Sequence, residues 1–207
     1  KCTFMYLIRP PFFYRWLYKE AVFSKPLANK TIYLTFDDGP IPEVTPLVLD
    51  ILKEKKAAAT FFCVGENVQR YPTIAERVFS EGHVIGNHTH NHLNAWNCSK
   101  EDYVNNALMF ESPQSEVKLF RPPYGKLKPS QYRQLRKKYT VVFWDVLSGD
   151  YDVNTSPEQC LTNAKEGLCN GSIIVFHDNI KAKKNLMYAL PRIIDYAQQQ
   201  GYAICSL

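Results

Sequence analysis

No Cys-x-x-Cys pair occurs in this 207-residue chain, although it has six cysteines: Cys2, Cys63, Cys98, Cys160, Cys169 and Cys205. That removes the usual basis for a thiolate zinc site. An even count permits disulfides, but a domain of this length does not need them, so free thiols are the expectation. No apolar run reaches the length that spans a bilayer. The opening Phe4-Met5-Tyr6-Leu7-Ile8 stretch is too short, and Arg9-Pro10-Pro11 breaks it. Internal repeats, linkers and low-complexity tracts are absent, which leaves one domain. Charge of one sign is not concentrated either. The formal net charge is +5, which suits an acidic polymer as partner but excludes the dense basic patch of a nucleic-acid binder. The chain starts at Lys1 and not at Met, so any upstream leader or anchor would lie beyond what it shows. Histidine is scarce: five in all, and three of them fall within His88–His92.

Short apolar runs alternate with helical patterns from Thr31 onward. Strands are expected at 31–36, 58–64, 84–88, 117–121, 139–146, 172–177 and 202–206. Helices are expected near 43–56, 72–81, 99–111, 129–138, 156–168 and 185–200. Val48, Ile51 and Leu52 keep one helical face, and Ser156-Pro157 reads as an N-cap followed by proline at the first helical position. Seven strands alternating with six helices predict an α/β fold, a distorted (β/α) barrel of about seven parallel strands with outer helices. Residues 30–207 form that domain. Residues 1–29 are an aromatic N-terminal segment, expected to pack on it through a short helix after Pro11; a membrane-surface role for the same aromatics stays open.

The polar residues cluster at the carboxyl ends of these strands, the rim that carries active sites in parallel barrels. Asp37-Asp38 ends the first strand before the breaker pair Gly39-Pro40, so both carboxylates can reach one cleft; the alternative is a solvated acidic turn. His88 and His92, four apart, would share a face on one helical turn, with His90 pointing elsewhere. Two imidazoles plus one of the two carboxylates make a common catalytic zinc set with open positions. The second carboxylate can then accept a proton from a coordinated water, whose pKa falls from about 15.7 to about 7. His177, at the end of Ile173–Phe176, is a candidate general acid, with Asp150 able to fix its tautomer. Arg121-Pro122-Pro123-Tyr124-Gly125 adds a cation and a rigid turn.

Together these motifs resemble a known family. Thr-Phe-Asp-Asp-Gly at 35–39, His-Thr-x-x-His at 88–92, Arg-Pro-Pro-Tyr-Gly at 121–125, the Trp144–Tyr151 segment and Val-Phe-His at 175–177 have the order and rough spacing of polysaccharide deacetylases, the NodB-like domain of carbohydrate esterase family 4. The resemblance spans about residues 30–207. It implies Asp37 as catalytic base and Asp38, His88 and His92 as ligands of one divalent ion. Zinc suits that set, and cobalt, nickel or iron are chemically admissible. Arg121 would position Asp37, and the Tyr124 N–H would stabilise the oxyanion. His177 would protonate the leaving amine with Asp150 behind it. Thr89 would brace the histidine loop, Val175 would wall the acetyl pocket, and Pro123 and Tyr151 would contact substrate. Tyr151 stands where the family usually has Trp, and Leu147 stands at an often acidic position, so Asp145 is the nearest substitute for Asp150.

The resemblance further implies hydrolysis of N-acetyl groups on an oligo- or polysaccharide of peptidoglycan or chitin type, a monomer, and a cell-envelope or extracytoplasmic setting. Two alternatives are a cyclic amide or ureide hydrolase on the same fold and a non-catalytic carbohydrate-binding relative. Loss of Asp37 or His177 would mark the latter, and neither is lost.

Overall fold

Strand β1 (Thr31–Asp37) alternates between two environments. In the computed structural model, which describes residues 9–114 and 116–207, its Ile32, Leu34 and Phe36 join the large apolar cluster shared with the helices. Each such buried side chain contributes about 1.5–3 kcal/mol. Tyr33 instead packs with Phe62, Val142 and Ile173, and by strand alternation Thr35 and Asp37 follow it to the inner side. The sequence thus aims Asp37 into the barrel.

Around β1 run β2 (Ala59–Cys63), β3 (Val84–Asn87), β4 (Leu119–Phe120), β5 (Thr140–Val141), β6 (Val146–Leu147), β7 (Ile173–His177) and β8 (Ala203–Cys205). The order is β5-β4-β3-β2-β1-β7-β6, with every pairing parallel. β8 pairs with Thr31–Tyr33, below the point where β2 takes over at Leu34.

One expected strand differs. The segment 139–146 is not continuous: β5 pairs with β4, and β6 pairs with β7. Between them Val22 inserts, its N–H donating to the Val141 carbonyl at 2.8 Å and its carbonyl accepting from Phe143 N–H at 2.8 Å. Ser24 then bridges to Ser172. Both ends of the strand order therefore lie on one segment, and the sheet curls into an incompletely closed barrel with Val22–Ser24 filling the gap.

Helix α1 (Phe12–Leu17) lies on this junction. Tyr14 and Tyr18 pack against Phe143 with ring centroids at 5.7 and 5.1 Å, and Phe23 stacks on the same ring at 5.0 Å. Phe12 and Trp16 face solvent. Helix α2 (Thr45–Glu54) buries Val48, Leu49 and Leu52. After α2 comes α3 (Gly65–Arg70), which was not expected because Val68 is its one apolar residue and gives no periodicity. α4 (Pro72–Ser80), α5 (Lys100–Leu108), α6 (Pro129–Leu135) and α7 (Pro157–Glu166) follow, with Ser156 Oγ capping α7 by accepting from Gln159 N–H at 3.1 Å. The last, α8 (Lys183–Gln199), buries Leu186, Ala189, Leu190, Ile193, Ile194 and Ala197, one continuous stripe.

The five described cysteines, Cys63, Cys98, Cys160, Cys169 and Cys205, are free. Cys2 and the 4–8 run lie outside the described residues. Among the described residues no helix is long and apolar enough to cross a membrane.

Candidate metal centre and active cleft

Parallel register sets the first part of the site. Asp37 pairs with Phe62 on β2 and with His177 on β7, so the base candidate and the acid candidate occupy the same level of the barrel. Asp37 is still on the strand, whereas Asp38 has left it with φ +86°. That break, at a residue type that tolerates the left-handed region, lets neighbouring carboxylates face one cleft.

Arg121 approaches Asp37 from β4. It is buried, and its Nη1 donates to Asp37 Oδ1 and to Thr35 Oγ1, each at 2.7 Å, while Nη2 donates to the Phe143 carbonyl at 2.9 Å. Its guanidinium lies 4.1 Å from the Phe62 ring centroid. A fixed fork with three acceptors is what holds a buried carboxylate in one orientation.

The other carboxylate faces two imidazoles. Asp38 Oδ1 lies 3.1 Å from His92 Nε2 and 3.7 Å from His88 Nε2. One ligand atom from each of the three residues falls within 4.8 Å of the others. Asp38 Oδ1 is buried without a hydrogen bond. His88 Nδ1 sits 2.8 Å from the Arg121 carbonyl, which can only accept, so Nδ1 carries the hydrogen and Nε2 turns its lone pair toward Asp38. The Tyr124 hydroxyl, 3.1 Å from His92 Nδ1, can do the same for the second ring. Burial brings His88 down to about 4, leaving it neutral. Burial works against a charge on Asp38, yet His92, His177 and His88 together hold its carboxyl well below the usual range. Two lone pairs converging on an anionic oxygen fit a divalent cation.

The two histidines do not share a helical turn as expected. Residues 88–92 are loop, and His92 and Thr89 both adopt positive φ, +57° and +65°. Thr89 Oγ1 accepts from Leu93 N–H, and Asn87 Oδ1 accepts from Thr89 N–H, so side chains fasten the loop. His90 lies against Gly65, away from the cluster.

On the opposite side, His177 Nδ1 is 2.8 Å from Asp150 Oδ1, and His177 N–H donates to Asp150 Oδ2 at 2.7 Å. Burial alone would lower the His177 pKa, but Asp150, with Asp38 and Asp37, pushes it up to about 9. Asp145 is elsewhere, accepting from Ser172 Oγ at 2.8 Å. Asp37, Asp38, His88, His92, Arg121 and His177 open into one cavity of about 450 Å³. Tyr124, Tyr151 and Val175 line it too. Pro123 does not. It is buried where the chain tightens into a single helical turn at 123–125, and Pro122 forms the wall.

The family model for polysaccharide deacetylase matches residues 24–144, more than half of the chain. The chain belongs to the polysaccharide deacetylase family. The matched stretch carries Asp37, Asp38, His88, His92, Arg121 and Tyr124 and ends before Asp150 and His177. A peptidoglycan-N-acetylglucosamine deacetylase of Bacillus cereus is 38% identical over 183 residues, covering 86% of each chain. A chitooligosaccharide deacetylase of Azorhizobium caulinodans is 32% identical over 197 residues, covering 85% of this chain and 92% of its own. A solved peptidoglycan N-acetylglucosamine deacetylase in complex with 4-naphthalen-1-yl-N-oxidanyl-benzamide superposes with TM-score 0.87 at 32% identity, covering 96% of this chain and 95% of that one.

Within this polysaccharide deacetylase, several site residues escape sequence reasoning. Asn179 Nδ2 donates to Asp38 Oδ2 at 2.6 Å, and Asn67 Nδ2 donates to the Asp38 carbonyl at 2.8 Å. Asp178, fully buried, accepts from Gly39 N–H at 3.0 Å and contacts Thr45 Oγ1 at 2.6 Å, tying down the turn that carries Asp38. Burial pushes its carboxyl up to about 8. Asp178 stands out in the sequence beside His177 among the polar residues at strand ends, but its hold on the Gly39 turn does not. Asn67 lies on α3 and gave no signal.

Proposed function

We propose that this chain is a divalent-metal-dependent N-deacetylase acting on acetamido groups of amino-sugar polymers, peptidoglycan or chitin-like glycans. The carrying observation is the opposed pair around one cavity: Asp37 clamped by Arg121, and His177 clamped by Asp150. Asp38, His88 and His92 would hold the ion, for which zinc suits an imidazole–carboxylate set. When bound, the ion activates water and polarises the acetyl carbonyl. Asp37 takes the proton from the attacking water, and Arg121 keeps its carboxylate aimed at that water. The Tyr124 backbone N–H, on the rim at φ +60°, faces the carbonyl oxygen as charge develops there. His177, protonated at neutral pH, gives its proton to the amide nitrogen as the C–N bond breaks. Asp150 stabilises that imidazolium and fixes its orientation. Acetate and a free sugar amine leave, with the water oxygen in the acetate. Val175 and Leu147 offer apolar surface for the acetyl methyl.

Names of the relatives support this substrate class. The test is acetate release by zinc-loaded protein from N-acetylglucosamine oligomers and from peptidoglycan glycan strands. Stoichiometric acetate and free amine are expected. No acetate from either polymer, with opening of a cyclic ureide instead, would overturn the reading.

A further inference from the structure

An exposed cluster borders the cleft, and two of its three residues, Trp96 and Lys126, have no role above. Trp96 stands on the single helical turn Ala95–Asn97, four residues past His92, and is 57% exposed. Tyr124, 59% exposed, lines the cavity and touches His92 through its hydroxyl. Between the two rings lies Lys126, its Nζ 4.8 Å from the Trp96 centroid and 5.9 Å from that of Tyr124. Among the described residues no carboxylate pairs with Lys126. The acidic groups of the adjoining cavity, Asp37 and Asp38, are engaged by Arg121 and Asn179.

Large aromatic rings left in water beside a reaction cavity are surfaces on which the C–H face of a sugar ring can stack. A cation held between them adds a requirement for negative charge. Its position also suggests where that charge sits. Nζ is within 6 Å of both ring centroids, so a carboxylate on a short substituent of the stacked sugar falls within its reach. We infer that Trp96, Lys126 and Tyr124 form a subsite for the sugar next to the one being deacetylated, and that it takes a sugar carrying a carboxylate on its own ring substituent, as a lactyl ether does. This rests on the deacetylase reading for its location along the glycan. It goes further in selecting peptide-free, carboxylate-bearing strands over neutral ones.

The experiment uses glycan strands freed of stem peptides, the same strands with their lactyl carboxylates methyl-esterified, and strands still carrying peptides. Acetate release and calorimetric binding are measured for wild type, Lys126→Ala and Trp96→Ala. Lys126→Ala should raise KM for the free-carboxylate strands by about fivefold, with kcat within about twofold, and leave the esterified strands unchanged. Trp96→Ala should raise KM for both. Equal effects of Lys126→Ala on free and esterified strands would overturn the charge assignment. A larger effect on peptide-bearing strands would move the recognised carboxylate to the peptide and overturn it as well. If wild type releases no acetate but binding still weakens in Lys126→Ala with free carboxylates alone, the subsite stands and the deacetylase reading fails.

Discussion

Replacing Arg121 by Met removes a charge from a place where its partner cannot reach water. Arg121 and Asp37 are both buried, 1% and 5% exposed, and joined at 2.7 Å. Stripping one member of such a pair costs about 3–5 kcal/mol, because the remaining carboxylate is left uncompensated. The Phe143 carbonyl also loses its 2.9 Å donor, adding about 1–3 kcal/mol for a buried acceptor. Arg121→Met should therefore destabilise the fold by about 4–8 kcal/mol. Asp37→Asn in the same chain removes the stranded charge. The double variant should recover about 2–3 kcal/mol of that loss, leaving the part due to Phe143 and the lost packing on Phe62. Urea unfolding of the four proteins, compared at a common m-value, gives the coupling. A coupling near zero, or a loss below about 1 kcal/mol in Arg121→Met, would refute the claim that Arg121 exists to hold Asp37.

The acid half of the site should show in a pH profile. His177 is raised to about 9 from 6.5, so its protonated form persists at neutral pH. Its stabilising share is complete below 6.5 and lost as pH climbs through about 9, and kcat should fall along the same limb. Asp150→Asn should move that limb down toward 6.5, whereas Asp145→Asn should leave it in place; an unmoved limb in Asp150→Asn contradicts the pairing. Gly39→Ala should be poorly tolerated, since a Cβ there would come within 2.0 Å of Asp178 Oδ2. The turn must shift, costing about 1–3 kcal/mol in thermal unfolding and weakening zinc affinity through displaced Asp38; native affinity and stability would contradict the role given to Asp178.

Much of this architecture is legible because short apolar runs and the 3.6-residue period can be read locally. β1, β2 and β7, buried on both faces, are such runs, and α2 and α8 carry the helical period. The 139–146 segment reads as one strand because Val141–Trp144 is an unbroken apolar run, while its division into β5 and β6 is imposed by Val22, far away in sequence. The same limit applies to the site. Asp37, Asp38, His88, His92, Arg121 and His177 stood out by residue type at strand ends. How His88 and His92 converge was not visible, since it depends on two left-handed residues and the side chains of Asn87 and Thr89. Asn67 and Asn179 act on Asp38 from α3 and from the loop after β7, a relation that exists only once the barrel has closed.

The central claim is a division of labour between adjacent carboxylates, and one paired measurement addresses it. Chelator-stripped Asp37→Asn and Asp38→Asn are titrated with zinc in a calorimeter and then assayed for acetate release. Asp37→Asn should bind one equivalent with near-native affinity and turn over at least about 100-fold more slowly, whereas Asp38→Asn should lose both binding and turnover. Native turnover by zinc-loaded Asp37→Asn, or undiminished zinc binding by Asp38→Asn, would contradict it.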